Sequence, residues 1–176
     1  MTRWVAFLRA VNVGHRRVSM AECTQTLEGL GYEDVGSYVN SGNLLFTTAA
    51  GTPVDHEARI RAVLEARYGF EITTFGRTEA EVRAMATQKP FGPIAAGHTH
   101  FALLPLTRLT AAEKNAAQAL SNDHDEVIVK GRDIHWLIRS KSTETTLLAK
   151  HWKQALPDNP TTARNTTMLA KLVERL

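Results

Sequence analysis

Hydrophobic and polar positions change period several times along the chain, and each change predicts an element. Runs at Trp4–Arg9, Gly36–Val39, Asn43–Thr47 and Glu71–Phe75 carry strand patterning. Helical spacing opens at Ser19 and at Thr52, so the first half reads β-α-β-β-α-β up to Gly76. A linking helix is predicted from Thr78, followed by a Gly/Pro loop through Lys89-Pro90-Phe91-Gly92-Pro93. The order then repeats. A strand at Thr99–Leu104 leads to a helix from Thr110, strands at Glu126–Lys130 and Ile134–Ile138, and a helix near Thr143–Leu156. A short extended piece at Thr161–Ala163 and a terminal helix at Thr166–Arg175 complete it. The expected fold is α+β: a tandem repeat of two ferredoxin-like β-α-β-β-α-β subdomains with a linking helix and a C-terminal helix, divided as 1–88 and 89–176.

The helix starts are marked by residue chemistry. In a capping box, Ser or Thr at the N-cap and Glu three residues on each accept the other's unpaired backbone N–H. The pattern occurs at Ser19…Glu22, Thr78…Glu81 and Thr110…Glu113. Thr52-Pro53-Val54-Asp55 adds a fourth start, with Pro53 at the first helical position, where its missing N–H costs nothing. These carboxylates are therefore read as caps, not as acid–base pairs. On the first strand Trp4, Ala6 and Leu8 share one face, and Val5 and Phe7 the other; both sets are apolar. A sheet with helices on one face should alternate to polar on the other. The second face is expected to be covered by the other half of the chain, a second subunit being the alternative.

Composition narrows the class. The chain has 176 residues, 43% hydrophobic and 22% charged, which excludes a disordered chain. A single cysteine excludes an internal disulfide framework and a multi-cysteine zinc site. Cys23 falls with Met20, Leu27 and Leu30 on one helical face and is read as core. No apolar run approaches the length of a membrane span, and the opening residues read as a strand, not a signal peptide. The expectation is a cytoplasmic protein without a membrane partner, either monomer or homodimer. Residues 1–88 carry nine basic and ten acidic side chains, whereas 89–176 carry twelve and eight. The excess lies in Lys130, Arg132, Arg139, Lys141, Lys150, Lys153, Arg164, Lys171 and Arg175. A nucleic-acid backbone is thus one partner class to consider, although the aromatic run of an RNA-recognition sheet is missing from Asn43–Thr47.

Three motifs are specific: Phe7-Leu8-Arg9-Ala10-Val11-Asn12-Val13-Gly14, then Tyr38-Val39-Asn40-Ser41-Gly42-Asn43-Leu44-Leu45-Phe46, then Thr162-Ala163-Arg164-Asn165-Thr166 and onward to Leu172. In this order they resemble a bacterial family labelled domain of unknown function 1697. The resemblance implies tandem ferredoxin-like subdomains and brings no established activity. Two positions depart from the family pattern: Ala10 stands where Gly is usual, and Thr166 where Trp is usual. The second departure argues against an aromatic stacking on a ligand after Arg164-Asn165.

The chemistry these motifs offer follows from topology. In β-α-β-β-α-β order the first two strands run parallel, so the segment Arg9–Arg17 should lie beside the turn Asn40-Ser41-Gly42-Asn43. Together they would present Arg9, Asn12, the Gly14 backbone, Arg16, Arg17, Ser41 and Asn43 near a helix start at Ser19, a donor-rich set that favours phosphate or carboxylate. A tight hairpin turn, for which Ser-Gly flanked by Asn suffices, explains the second motif equally well. Asn165 is expected to cap the terminal helix. Arg164 is expected either to supply charge to the pocket of Arg9 and Ser41 or to pair with a surface acid. Candidate ligand-binding residues are therefore Arg9, Asn12, Gly14, Ser41, Gly42, Asn43, Arg164 and Asn165. No catalytic signature is found. His98 and His100 share a strand face but lack a third ligand and are read as solvated, and Asp123-His124-Asp125-Glu126 as a polar turn. No metal or cofactor is assigned. The expected partner is a small anionic ligand; whether it is turned over is left open, as is a protein-interaction role.

Overall fold

The computed structural model describes residues 1–49 and 51–176, which form two compact units, Met1–Ala84 with Leu172–Leu176, and Met85–Lys171. The first contains β1 (Thr2–Leu8), α1 (Met20–Gly29), β2 (Glu33–Ser37), β3 (Asn43–Thr48), α2 (Pro53–Tyr68) and β4 (Thr74–Thr78). Its strands form one antiparallel sheet in the order β2-β3-β1-β4. Trp4, Ala6 and Leu8 pack with Leu44 and Phe46 of β3 against Cys23, Leu27, Ile60 and Leu64 of α1 and α2. Val5 and Phe7, on the opposite face, are also fully buried. Helix α3 (Glu79–Thr87) follows β4.

The second unit repeats the order with β5 (Thr99–Pro105), α4 (Ala111–Gln118), β6 (Asp125–Lys130), β7 (Asp133–Ile138), α5 (Ala149–Ala155) and β8 (Thr161–Asn165), leading into α6 (Thr166–Val173). Its antiparallel sheet has the order β6-β7-β5-β8. Leu103, Val127, Ile134, Trp136 and Ile138 form its core with Ala117, Leu147 and Leu156.

Thr52 and Thr110 make complete capping boxes with Asp55 and Glu113, and Thr78 does the same with Glu81. Ser19 makes half of one. Its hydroxyl accepts the Glu22 N–H, but the Glu22 carboxylate turns to the Tyr68 hydroxyl at 2.9 Å and to Arg67 at 3.1 Å. Thr110→Ala is accordingly expected to cost about 1–2 kcal/mol and Ser19→Ala about 0.5–1 kcal/mol. Urea titration of the two variants checks the order; equal losses would show that the second half of the box contributes nothing.

Several local expectations need correction. The last strand of the first unit runs Thr74–Thr78 and not Glu71–Phe75, because the Ile72 N–H is taken by the Glu65 carboxylate at 2.9 Å. The helix expected at Thr143–Leu156 is a 3-10 turn at Ser142–Glu144 followed by α5. Thr145 and Thr146 interrupt it, since both side chains are bonded to Asp125. Asp125 is no polar turn: it opens β6 and is fully buried. Neither is His100 solvated. It is buried on β5 with its Nε2 3.0 Å from His135 Nδ1, because the segment after α3 folds over that face and sets the Phe91 ring edge-on to it at 5.2 Å. His98 lies before the strand and is half-buried.

Candidate functional site

Parallel β1 and β2 direct the segment leaving β1 and the β2–β3 turn to the same end of the first sheet. Two hydrogen bonds join them there. The Leu8 N–H donates to the Gly42 carbonyl at 2.8 Å, and the Asn12 side-chain amide donates to the Asn40 carbonyl at 2.8 Å. Asn12 also donates to the Val18 carbonyl at 3.1 Å and accepts the Val18 N–H at 2.9 Å. Its amide is thus committed to backbone, folding the loop onto itself and onto the turn. Asn43 behaves alike: it is fully buried and donates to the Tyr38 carbonyl at 2.7 Å and to the Ser41 hydroxyl at 3.2 Å. Both asparagines position the segments and present no donor outward.

Gly42 fixes the closeness of the approach. Its φ is +81°, and a Cβ there would meet Val11 Cγ2 at 2.7 Å and Leu8 Cβ at 2.8 Å. Gly14, at φ +55°, has open space around it and serves by conformation alone. More telling are the non-glycine residues in the left-handed region. Four occur among the described residues, and three of them, Ala10 at φ 57°, Asn12 at 55° and Val39 at 51°, lie in these two segments. For a β-branched residue such as Val39 that backbone is a true outlier. Ala10 takes a conformation for which glycine is the easier choice.

Around this pinned backbone stand exposed cations. Arg9 is exposed and makes no side-chain hydrogen bond among the described residues. Arg16 lies over the Phe70 ring at 5.2 Å, and Arg17 donates to the Gly14 carbonyl at 2.8 Å, leaving part of each guanidinium fork outward. Ser41 is exposed. Neither 9–17 nor 38–43 contains a carboxylate. Arg175 is a cation that sequence reading placed in the C-terminal basic stretch; it sits over the Tyr38 ring at 5.9 Å, beside the turn.

Arg164 and Asn165 belong to the second unit. Asn165 accepts the Thr167 N–H at 2.8 Å, the bond of an N-cap. Arg164 is 6% exposed; it donates to the Thr162 hydroxyl at 2.8 Å and to the Ala163 carbonyl at 2.9 Å. Burial pushes its guanidinium down to about 10. A counterpart was missed in the sequence. Arg77, fully buried, stands opposite Val5 on β4 as Arg164 stands opposite Ala102 on β8. Each arginine is followed by a helix-capping residue, Thr78 or Asn165. Aligning the two halves of the chain would have found it. Among the described residues no three His, Cys, Asp or Glu side chains gather as a metal would require, and no helix is long and apolar enough to cross a membrane.

The family model described as "Protein of unknown function (DUF1697)" matches residues 1–135, a stretch that includes both convergent motifs. The chain belongs to this family. The DUF1697 match ends before the Arg164-Asn165 motif. Among solved structures, the conserved bacterial protein SP0830 from Streptococcus pneumoniae is similar over 100% of this chain and 98% of its own, at 24% identity and a TM-score of 0.75. That likeness shows a shared fold. No curated protein matches.

Proposed function

We propose that this DUF1697 chain binds a small anionic ligand, phosphate- or carboxylate-bearing, at the end of the first sheet where the β1–α1 loop meets the β2–β3 turn. The observation that carries the reading is the coincidence of strained backbone and exposed guanidinium groups. Each residue held in a sparsely populated backbone region costs about 1–3 kcal/mol, and such residues cluster where binding or chemistry needs a fixed shape. A plain hairpin turn needs Gly42 but does not need Val39 and Ala10 in that region as well. Arg9, Arg16 and Arg17 then supply planar forks that match phosphate or carboxylate, with the Ser41 hydroxyl beside them. A nucleotide or a phosphorylated metabolite fits this chemistry. In the same reading each unit is ferredoxin-like, and the first supplies the ligand end.

Thermal shift with inorganic phosphate, nucleoside monophosphates and small dicarboxylates tests the proposal. A ligand present at a hundred times its dissociation constant should stabilise the fold by about 2.7 kcal/mol. Arg9→Ala should weaken that ligand several-fold while leaving the melting temperature of the unliganded protein unchanged. A steep loss of binding with added salt would point instead to a nucleic-acid backbone. Arg139, paired with Glu126, and the buried Arg164 are two members of the basic stretch that such a partner would not meet. No stabilisation by any anion overturns the reading.

A further inference from the structure

The second unit holds a cavity of about 360 Å³, bordered among others by Gln88, Lys89, Ile94, His100, Thr166 and Thr167. That volume suits a small molecule. No function has been given to these residues by the motifs or by the site in the first unit.

The chemistry of the cavity starts with Gln88. Its carbonyl oxygen lies 2.8 Å from His135 Nε2. A carbonyl oxygen only accepts, so His135 carries its proton on Nε2 and accepts on Nδ1. His100 Nε2, 3.0 Å from His135 Nδ1, is therefore the donor of that bond. Nδ1 of His100 keeps its lone pair, and among the described residues nothing donates to it. The ring is also fixed in place: Phe91 sits edge-on to it at 5.2 Å, and the Thr166 hydroxyl donates to the His100 carbonyl at 3.1 Å. Burial pushes His100 down to about 4 and, with the neighbouring His100, does the same to His135, so both rings are neutral in neutral solution.

The remaining polar border is of one sign. Lys89 is exposed and is the charged residue of the lining. Thr166 and Thr167 form the first turn of α6, whose N-terminal end carries partial positive charge. No carboxylate borders the cavity. A neutral acceptor on a largely buried ring, beside a cation and a helix start, is a pairing with one natural complement.

We propose that this cavity is a second ligand site, which takes a small anion that also carries a hydroxyl or N–H donor. Lys89 and the Thr167 hydroxyl at the start of α6 hold the anionic group, His100 Nδ1 accepts the donor's hydrogen bond, and His135 and Gln88 are positioning residues that keep the lone pair on Nδ1.

The test follows the histidine ring nitrogens by NMR in the full chain, titrated with glycerol 3-phosphate, glycerate, sulfate and glycerol. Glycerol 3-phosphate or glycerate, each with an anion and a hydroxyl, should move the His100 Nδ1 signal saturably; which of the two binds tighter tells phosphate from carboxylate. Sulfate, an anion with no hydroxyl at neutral pH, should bind more weakly, and glycerol should give no saturable shift. Lys89→Ala should raise the dissociation constant about ten-fold, the worth of one charge-assisted hydrogen bond, without lowering the melting temperature. Gln88→Ala should leave His100 as a mixture of tautomers before any ligand is added, which a merely structural Gln88 would not cause. The proposal is overturned if the His100 Nδ1 signal moves with none of these probes, or if its movement is the same in Lys89→Ala.

Discussion

Asp125→Ala is expected to cost the fold about 3–5 kcal/mol, the largest loss for any single polar side chain in the second unit. Asp125 is fully buried at the start of β6. One carboxylate oxygen accepts from Trp136 Nε1 at 2.8 Å and from the Thr145 hydroxyl at 2.7 Å. The other accepts the Thr146 N–H at 2.8 Å and the Thr146 hydroxyl at 2.6 Å. Burial alone would raise this carboxyl, but the four donors outweigh it and hold the group down at about 2. The carboxylate thereby fastens the segment between β7 and α5 to the sheet. Its removal strands the Trp136 indole N–H away from water, at about 1–3 kcal/mol, and frees Thr145 and Thr146 from the sheet. Asp125→Asn should be intermediate, because the amide NH2 replaces an acceptor with a donor facing two donors. Urea unfolding at neutral pH measures both; a loss below about 1 kcal/mol for the alanine variant would contradict this account of the network.

The second large effect is loss of stability on mild acidification. His100 and His135 sit at about 4 in the folded chain, whereas an unfolded histidine titrates near 6.5. Between those values the unfolded chain binds protons that the folded chain refuses, so stability falls as pH drops below about 6.5 and levels off below about 4. Each independent histidine contributes about 3 kcal/mol to that loss. The two rings face each other, so the second proton is harder to add than the first. His56, buried on α2 and likewise lowered by burial and by Arg59, adds to the same window. The carboxylate of Asp125 adds its own loss below about pH 4, where the unfolded carboxyl takes protons that the folded one, at about 2, refuses. Urea midpoints at pH 7, 6, 5 and 4.5 should fall steadily in the native chain and much less in a His100→Leu/His135→Leu variant. A flat profile in the native chain would contradict the neutral pair.

The features that could be read from the chain alone are those decided locally or by strand direction. Thr52 and Thr110 lie three residues from their partners, so their boxes are legible in any window. The meeting of Asn12 with the Asn40 carbonyl spans 28 residues, yet it follows from β1 and β2 running parallel. Partnerships set by register or packing were invisible. Glu22 leaves its cap for Arg67 and Tyr68, some 45 residues away, because α1 and α2 share one face of the sheet. His100 meets His135 because β5 and β7 are neighbours in a particular register, and hydropathy says nothing about which polar residue faces which. The roles of Asn12 and Asn43 were half-read for the same reason: sequence shows a donor but not which carbonyl takes it. Arg77 was legible and was missed, since its place before a cap repeats that of Arg164.

The claim on which the functional reading turns is that an anion binds where the β1–α1 loop meets the β2–β3 turn. Backbone amide mapping during titration with a nucleoside monophosphate tests it most directly, because it reports position along with affinity. Saturable shifts are expected, centred on residues 9–17 and 38–43 and strongly reduced by Arg9→Ala combined with Arg16→Ala. Shifts that spare both segments at saturation, or that persist unchanged in the double variant, would contradict it.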